Sequence, residues 1–293
     1  MKKIILPVLM AALLMSVSVS ASNFAEEEDV GAVRFDVQKA TTAWKGDGVW
    51  TEGEYYEIDV QDSWMSAACG KAEDLDATQW LDFTLAMSWD ENYIYGYLNF
   101  YDENGHEQLS GDNPGDMWVT SCLHIAGAEK DAVDQQSLKY GIALTSDTNK
   151  LMAVTWIDYP NSNYDANANG DYFITNNDNE ITYEWRTPIS AFSSVTPAEG
   201  AQYAYGLSLG WGNDGSRQHT QIGAGLSGGP GEQASRFPRI TLAAAPVVEV
   251  ETVADAAAET ETVTTAPQTL DAGIVAAVAA AVSAAGYAVS KKH

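Results

Sequence analysis

Phe83-Thr84-Leu85-Ala86-Met87-Ser88-Trp89, then Asp90-Glu91-Asn92, then Tyr93-Ile94-Tyr95-Gly96-Tyr97-Leu98-Asn99-Phe100 decide the fold class of this 293-residue chain. The first run alternates at period two, the mark of a strand with one buried face. The second is turn chemistry, and the third is strand-like again. The same texture continues on either side. In 55–60, Tyr56, Ile58 and Val60 alternate with acids, and looser strand-like runs cover 118–125, 140–144, 152–157, 181–185 and 205–209. Glu103-Asn104-Gly105, Asn113-Pro114-Gly115 and Asn213-Asp214-Gly215 punctuate them. No segment keeps apolar residues at helical spacing for three turns. Short strands with frequent turns predict an all-β chain: one antiparallel β-sandwich domain of the jelly-roll or immunoglobulin-like kind.

The ends have a different character. Met1-Lys2-Lys3, the apolar run 4–19 and the small residues Val19-Ser20-Ala21 predict a secretory signal peptide over 1–21. The sandwich is expected over 22–242. Residues 243–266 are Ala, Val, Glu and Thr with one Pro and one Asp, and no aromatic residue. Such a stretch cannot bury enough apolar surface to fold, so it reads as an acidic disordered linker. In 267–293, Pro267-Gln268-Thr269-Leu270-Asp271 precedes an apolar run, 272–289, and then Lys291-Lys292-His293. This tail resembles the sorting signals of Gram-positive surface proteins, in which a sortase cuts after the Thr of a Pro-x-Thr motif. Pro267, Gln268 and Thr269 match, and Leu270 stands where that pattern has Gly. The bland reading is an anchor helix of about 18 residues, near the lower limit for a bilayer. Either way the chain is expected to be exported and anchored at the membrane or cell wall.

The formal net charge of −26 makes nucleic acid and anionic headgroups poor partners. Cys69 and Cys122 are the only cysteines. In an exported chain an even count allows one disulfide, which could add roughly 4 kcal/mol in the chain-entropy model. Asp165-Ala166-Asn167-Ala168-Asn169-Gly170-Asp171 begins like a calcium loop, with oxygen ligands at alternate positions and Gly at the sixth. Asn176 stands where the closing Glu would be. Asp165, Asn167, Asn169 and Asp171 are the candidate ligands of a structural calcium.

Several motifs then fall into a familiar order. Asp47-Gly48-Val49-Trp50 is followed by Trp89-Asp90 through Ile94-Tyr95, by Gly115-Asp116, by Glu184-Trp185-Arg186-Thr187-Pro188-Ile189, and by Arg236-Phe237-Pro238-Arg239-Ile240. In that order they resemble the family 9 carbohydrate-binding modules and the related DOMON-like sandwiches. Ile94 replaces a Leu of the pattern, and Pro188 precedes Ile189 instead of following it. The resemblance implies a non-catalytic module that binds a poly- or oligosaccharide, clasping a terminal sugar between two loop tryptophans.

The residues support such a ligand independently. A pyranose offers an apolar face to flat rings and a rim of hydroxyls to polar side chains. Nine Trp and fourteen Tyr supply the rings. Trp89, Trp118, Trp156 and Trp185 lie in strand-like runs and read as packing, with Trp118 and Trp185 able to face either way. Trp50 reads as structural. Trp211, flanked by glycines with Asn213, Arg217 and Gln218 close by, reads as a sugar platform, and Trp64 as its second wall. Tyr159, Tyr164 and Tyr172 could extend it. The rival reading is a surface adhesion or scaffold protein that engages another protein. Enzyme readings rest on less. Gly225-Leu226-Ser227-Gly228-Gly229 fits the nucleophile-elbow pattern but lacks a following helix. Paired carboxylates would make a glycoside hydrolase, and His124 with Met87 would be the axial ligands of a haem-binding DOMON-like protein.

Overall fold

The computed structural model describes residues 25–26, 33–69, 83–102, 106, 113–119, 121–145, 151–211, 218–226 and 233–246. The expected signal peptide, the sorting residues Pro267, Gln268 and Thr269, the run 272–289, and Asn213 and Arg217 lie outside the described residues. Among those described, no helix is long and apolar enough to cross a membrane.

The chain builds two β-sheets. The smaller has the order β10 (Tyr172–Asn177), β11 (Glu180–Pro188), β6 (Tyr93–Tyr101), β5 (Phe83–Trp89) and β3 (Tyr56–Glu57), antiparallel throughout. The larger runs β1 (Ala25–Glu26), β4 (Met65–Cys69), β13 (Gln218–Ile222), β12 (Gln202–Trp211), β7 (Cys122–Glu129), β8 (Leu138–Leu144), β9 (Leu151–Asp158). Beside β13, the long β12 also carries β14 (Arg239–Ala243) on its first residues, and β14 pairs in parallel with β2 (Arg34–Gln38). That pairing and β1 with β4 are the parallel departures from the antiparallel expectation.

Alternation along the strands makes the sandwich. On β6, Ile94, Leu98 and Phe100 point into the core with Leu85 and Met87 of β5. They meet Leu123 and Ile125 of β7, Tyr140 and Ile142 of β8, and Leu207 and Leu209 of β12. Trp185 of β11 sits in the middle, fully buried, and its indole N–H donates to the Tyr205 hydroxyl of the facing sheet at 2.9 Å. Thr187 lies 2.7 Å from Tyr205 and 2.8 Å from the hydroxyl of Tyr140. These bonds satisfy polar atoms whose burial would otherwise cost free energy. The Trp185 ring lies over Gly96, its cross-strand partner on β6. A Cβ at Gly96 would fall inside that ring.

Three local expectations change. Residues 118–125 are not one strand: Pro114–Val119 form a 3-10 turn, and β7 starts only at Cys122. The run 55–60 forms a strand only over Tyr56 and Glu57, with Ile58 adding one amide bond to the Leu85 carbonyl. The Cys69–Cys122 bridge is incompatible with the sheet. Cys69 pairs with His219, His219 with Gly210, and Gly210 with Cys122, so two whole strands separate the cysteines. Three strand spacings amount to roughly 14 Å, well beyond the ~6.8 Å between Cα atoms that a disulfide spans.

Gly96→Ala should therefore lower stability by roughly 1–3 kcal/mol or more through overpacking, read as a lower denaturant midpoint at unchanged slope. Reductant should leave the melting temperature where it is. Both thiols should titrate in unfolded protein that has never seen reductant, and a single oxidised pair would contradict the register.

Candidate ligand face at one end of the large sheet

The outward-facing side of the large sheet carries what sequence reasoning did not assemble. Since Leu123 and Ile125 point into the core, Cys122, His124, Ala126 and Ala128 of β7 point out. Register then draws one line across the sheet: Ser66 on β4 opposite Gln221 on β13, Gln221 opposite Ser208 on β12, Ser208 opposite His124, and His124 opposite Gly141 on β8. All four side chains in that line are buried. A polar row is an unusual thing to bury on an outer sheet face, where a chain without a task would leave it in water or make it apolar.

The cover comes from two segments. Ser66 donates to the carbonyl of Gly223 at 2.6 Å, and the amide of Leu226 donates to Gln221 Oε1 at 3.1 Å, so the stretch 223–226 closes one side. The 3-10 turn Pro114–Val119 closes the other. Its Met117 is buried among Cys122, Ala143 and Met152. The Trp118 carbonyl, which can only accept, takes a hydrogen bond from His219 Nε2 at 2.9 Å. His219 thus carries its proton on Nε2 and presents Nδ1 to Ser208 Oγ at 3.4 Å. The Trp156 indole N–H donates to the Gly115 carbonyl of the same turn at 3.3 Å. Trp156 also lies over Gly141, where a Cβ would displace it. The His124 ring centroid is 4.7 Å from both Trp156 and His219, and Lys139 Nζ stands 5.4 Å over the Trp156 ring while donating to the Leu226 carbonyl.

One short turn thus holds two tryptophans. Trp156 is half-buried, whereas Trp118 keeps 37% of its surface in solvent. The structure places Trp118 in this turn, whereas the sequence pattern places it inside a strand. The cue against that was Asn113-Pro114-Gly115-Asp116 directly ahead of it, turn chemistry that ends one element before the next begins.

The residues singled out from sequence are distributed unevenly. Trp211 and Gln218 form the last rung of the β12–β13 hairpin. That rung adjoins the Gly210–His219 pair, at the same end of the sheet as Trp118. Trp64 is elsewhere: its ring stacks on Phe35 of β2 at 5.7 Å and packs against the core. Tyr164 and Tyr172 are buried, and Tyr159 is exposed. Trp50 is more exposed than a structural role implied, resting edge-on against Tyr97 at 5.2 Å. Ser227 lies outside the described residues. His124 is buried beside Trp156 and His219, on the outer face, whereas Met87 lies in the core between the sheets, so the two do not face one another.

The calcium candidates form a capped helical turn, α1 (Ala166–Asn169). Asp165 Oδ1 accepts from the amides of Asn167 and Ala168. Asn167 donates to the Ala153 carbonyl at 2.9 Å and accepts from the Tyr172 hydroxyl. Asp171 is buried and paired with Arg186 Nε at 2.8 Å, which raises the Arg186 pKa above its ordinary value although burial alone would lower it. A calcium ion drawing on Asp165, Asn167, Asn169 and Asp171 would have to break this cap and this ion pair.

No family model matches the chain, and no curated protein matches it. Among solved structures, a family 9 carbohydrate-binding module from Caldicellulosiruptor kristjanssonii in complex with cellotriose is similar, with a TM-score of 0.49 and 14% identity over 74% of this chain and 97% of that one. A family 9 carbohydrate-binding module from Caldicellulosiruptor kristjanssonii in complex with glucose gives a TM-score of 0.48 and 13% identity over 73% of this chain and 97% of that one.

Because Asp165 Oδ1, Asn167 and Asp171 Oδ1 are engaged in the cap and the ion pair, calcium should leave the melting temperature unchanged. Asp165→Ala should lower it by the ~1 kcal/mol of a lost helix cap, with or without the ion. A calcium-dependent rise that disappears in Asp165→Ala would show the opposite.

Proposed function

We propose that this protein is a non-catalytic glycan-binding protein that takes a neutral oligosaccharide on the outer face of the large sheet. Trp118 and Trp156, fixed to one backbone turn above a row of buried hydrogen-bonding side chains, are the observation behind it. A sugar ring needs a rigid flat surface and nearby donors and acceptors. Trp118 supplies a part-exposed indole whose backbone His219 holds in place, so little conformational entropy is lost when a ligand arrives. Stacking on such a ring contributes roughly 1–3 kcal/mol. Asn213, Arg217 and Gln218 keep their proposed role as contacts to the hydroxyl rim. Trp211 keeps its proposed role as the opposing platform, and Trp64 gives up the second wall to Trp118.

The setting we infer is a cell surface. The export signal at 1–21, the acidic stretch 243–266 and the tail 267–293 together support a sandwich held off a membrane or wall on a stalk, with sortase as the agent if the tail is processed at Thr269. High negative charge keeps such a module soluble and suits a neutral ligand.

The test is a titration of the full chain with neutral oligosaccharides, cellotriose among them, followed by tryptophan fluorescence and by heat. Trp118→Ala should weaken binding about ten-fold or more, the equivalent of one lost platform, with a melting temperature within a few degrees of the parent. Binding left intact in Trp118→Ala and in Trp211→Ala would remove this face as the site. Protein binding without any response to sugar would favour the adhesion reading.

A further inference from the structure

At the opposite end of the sandwich lies a groove of about 320 Å³, lined by Glu91, Asn92, Tyr93, Pro188, Ser190 and the segment 193–197. Strand direction fixes its distance from the Trp118 face. β7 begins at Cys122, beside that face, and ends at Glu129, whose carboxylate binds Ser193 and Ser194 in the groove wall. Eight residues of strand place the two ends roughly 24 Å apart.

Both walls are pinned. Asp90 Oδ1 accepts from the amides of Asn92 and Tyr93 at 2.7 and 2.8 Å, and the Asn92 carbonyl accepts from Ile189 at 2.9 Å. On the other side, Glu129 Oε1 accepts the Ser194 amide at 3.0 Å, and the Tyr203 hydroxyl donates to the Val195 carbonyl at 3.0 Å. The bonds from Ser193 and Ser194 hold the Glu129 carboxyl below its ordinary pKa, so the wall keeps its charge-assisted clamp near neutral pH. A groove framed this way exists before a ligand comes, as binding sites usually do.

Its lining says what it would take. Glu91, the one charged side chain among the described lining residues, is already paired with Lys39. Among the described residues, none hydrogen-bonds the side chains of Asn92, Ser190 and Thr196 or the Tyr93 hydroxyl. Asn92, Ser190 and Thr196 are exposed, and Tyr93 is half-buried. Unused hydroxyls and an amide converge beside an aromatic ring and two prolines, with no uncompensated charge. That is poor for ions and well matched to a neutral polyhydroxylated ring. The geometry points to a second saccharide subsite in this groove, separate from the Trp118 face, so that one molecule holds two glycan segments at once. This rests on the glycan-binding reading for its ligand class but not on Trp118 for its geometry.

The test is amide NMR of the full chain titrated with neutral trisaccharides built from glucose, xylose, mannose or galactose. Saturable shifts are expected at 91–93 and 190–197. They should persist in Trp118→Ala and weaken roughly ten-fold in Asn92→Ala combined with Thr196→Val, the loss of two hydrogen bonds at the surface. Isothermal titration should show two sites per chain, falling to one in either variant. Shifts confined to the Trp118 face would overturn the groove and leave the proposed function standing. Shifts confined to the groove would do the reverse. Silence at both ends with every sugar would sink both.

Discussion

The contact between Trp185, Gly96 and Tyr205 is what the rest of the structure depends on. An indole is too large to stand between two sheets packed about 10 Å apart unless something beneath it is missing. Gly96 supplies the gap on the neighbouring strand, and the Tyr205 hydroxyl supplies the acceptor across the core. Thr187 and Tyr140 complete a small buried network. Since buried donors without acceptors are costly, this network permits one relative placement of the sheets, and a slip of one residue in β11 would reverse every side chain on it.

Fixing the interior in this way leaves both outer faces to be covered or used. On the small sheet, the outward tyrosines 93, 95 and 97 lie under residues 44–55. Arg186 sits between the rings of Trp44 and Tyr93, at 4.6 and 4.8 Å, and pairs with Asp171. Glu184 holds the loop by accepting from the Gly48 amide and the Tyr55 hydroxyl. Burial pushes the Glu184 carboxyl above its ordinary pKa, and the Glu54 charge nearby adds to this. The opening Asp-Gly motif is thus a lid on the small sheet. On the large sheet the cover is the turn Pro114–Val119, the stretch 223–226 and the segment with Ala234 and Phe237 over Ala126, Ala128 and Ala204, and Trp118 is part-exposed beside the buried polar row.

Much of this is legible in the sequence alone. Phe83–Trp89 and Tyr93–Tyr101 pair where the alternation placed them, and the strands near 140, 152, 181 and 205 also form, each a few residues longer than its apolar core suggests. Strands whose residues are polar were harder. β10 reads Tyr-Phe-Ile-Thr-Asn-Asn, and only its pairing with β11 makes its second half a strand. The loop 165–171 is ambiguous for a related reason: a run of Asp, Asn and Gly caps a helical turn as readily as it wraps an ion, and the pairing of Asp171 with Arg186 is not visible in the local pattern.

By itself the sequence determined the class of fold, because period-two alternation and turn residues act over a few neighbouring positions. It also determined the negative charge and the unusual composition of the two ends. The tertiary structure alone decided that Cys69 and Cys122 stand two strands apart, that Trp64 packs on Phe35, and that Trp118 and Trp156 share one turn. Those outcomes depend on strand order and register. They are set by which pairings let a central indole, its glycine and its hydroxyl partner meet, over separations along the chain that no local pattern encodes.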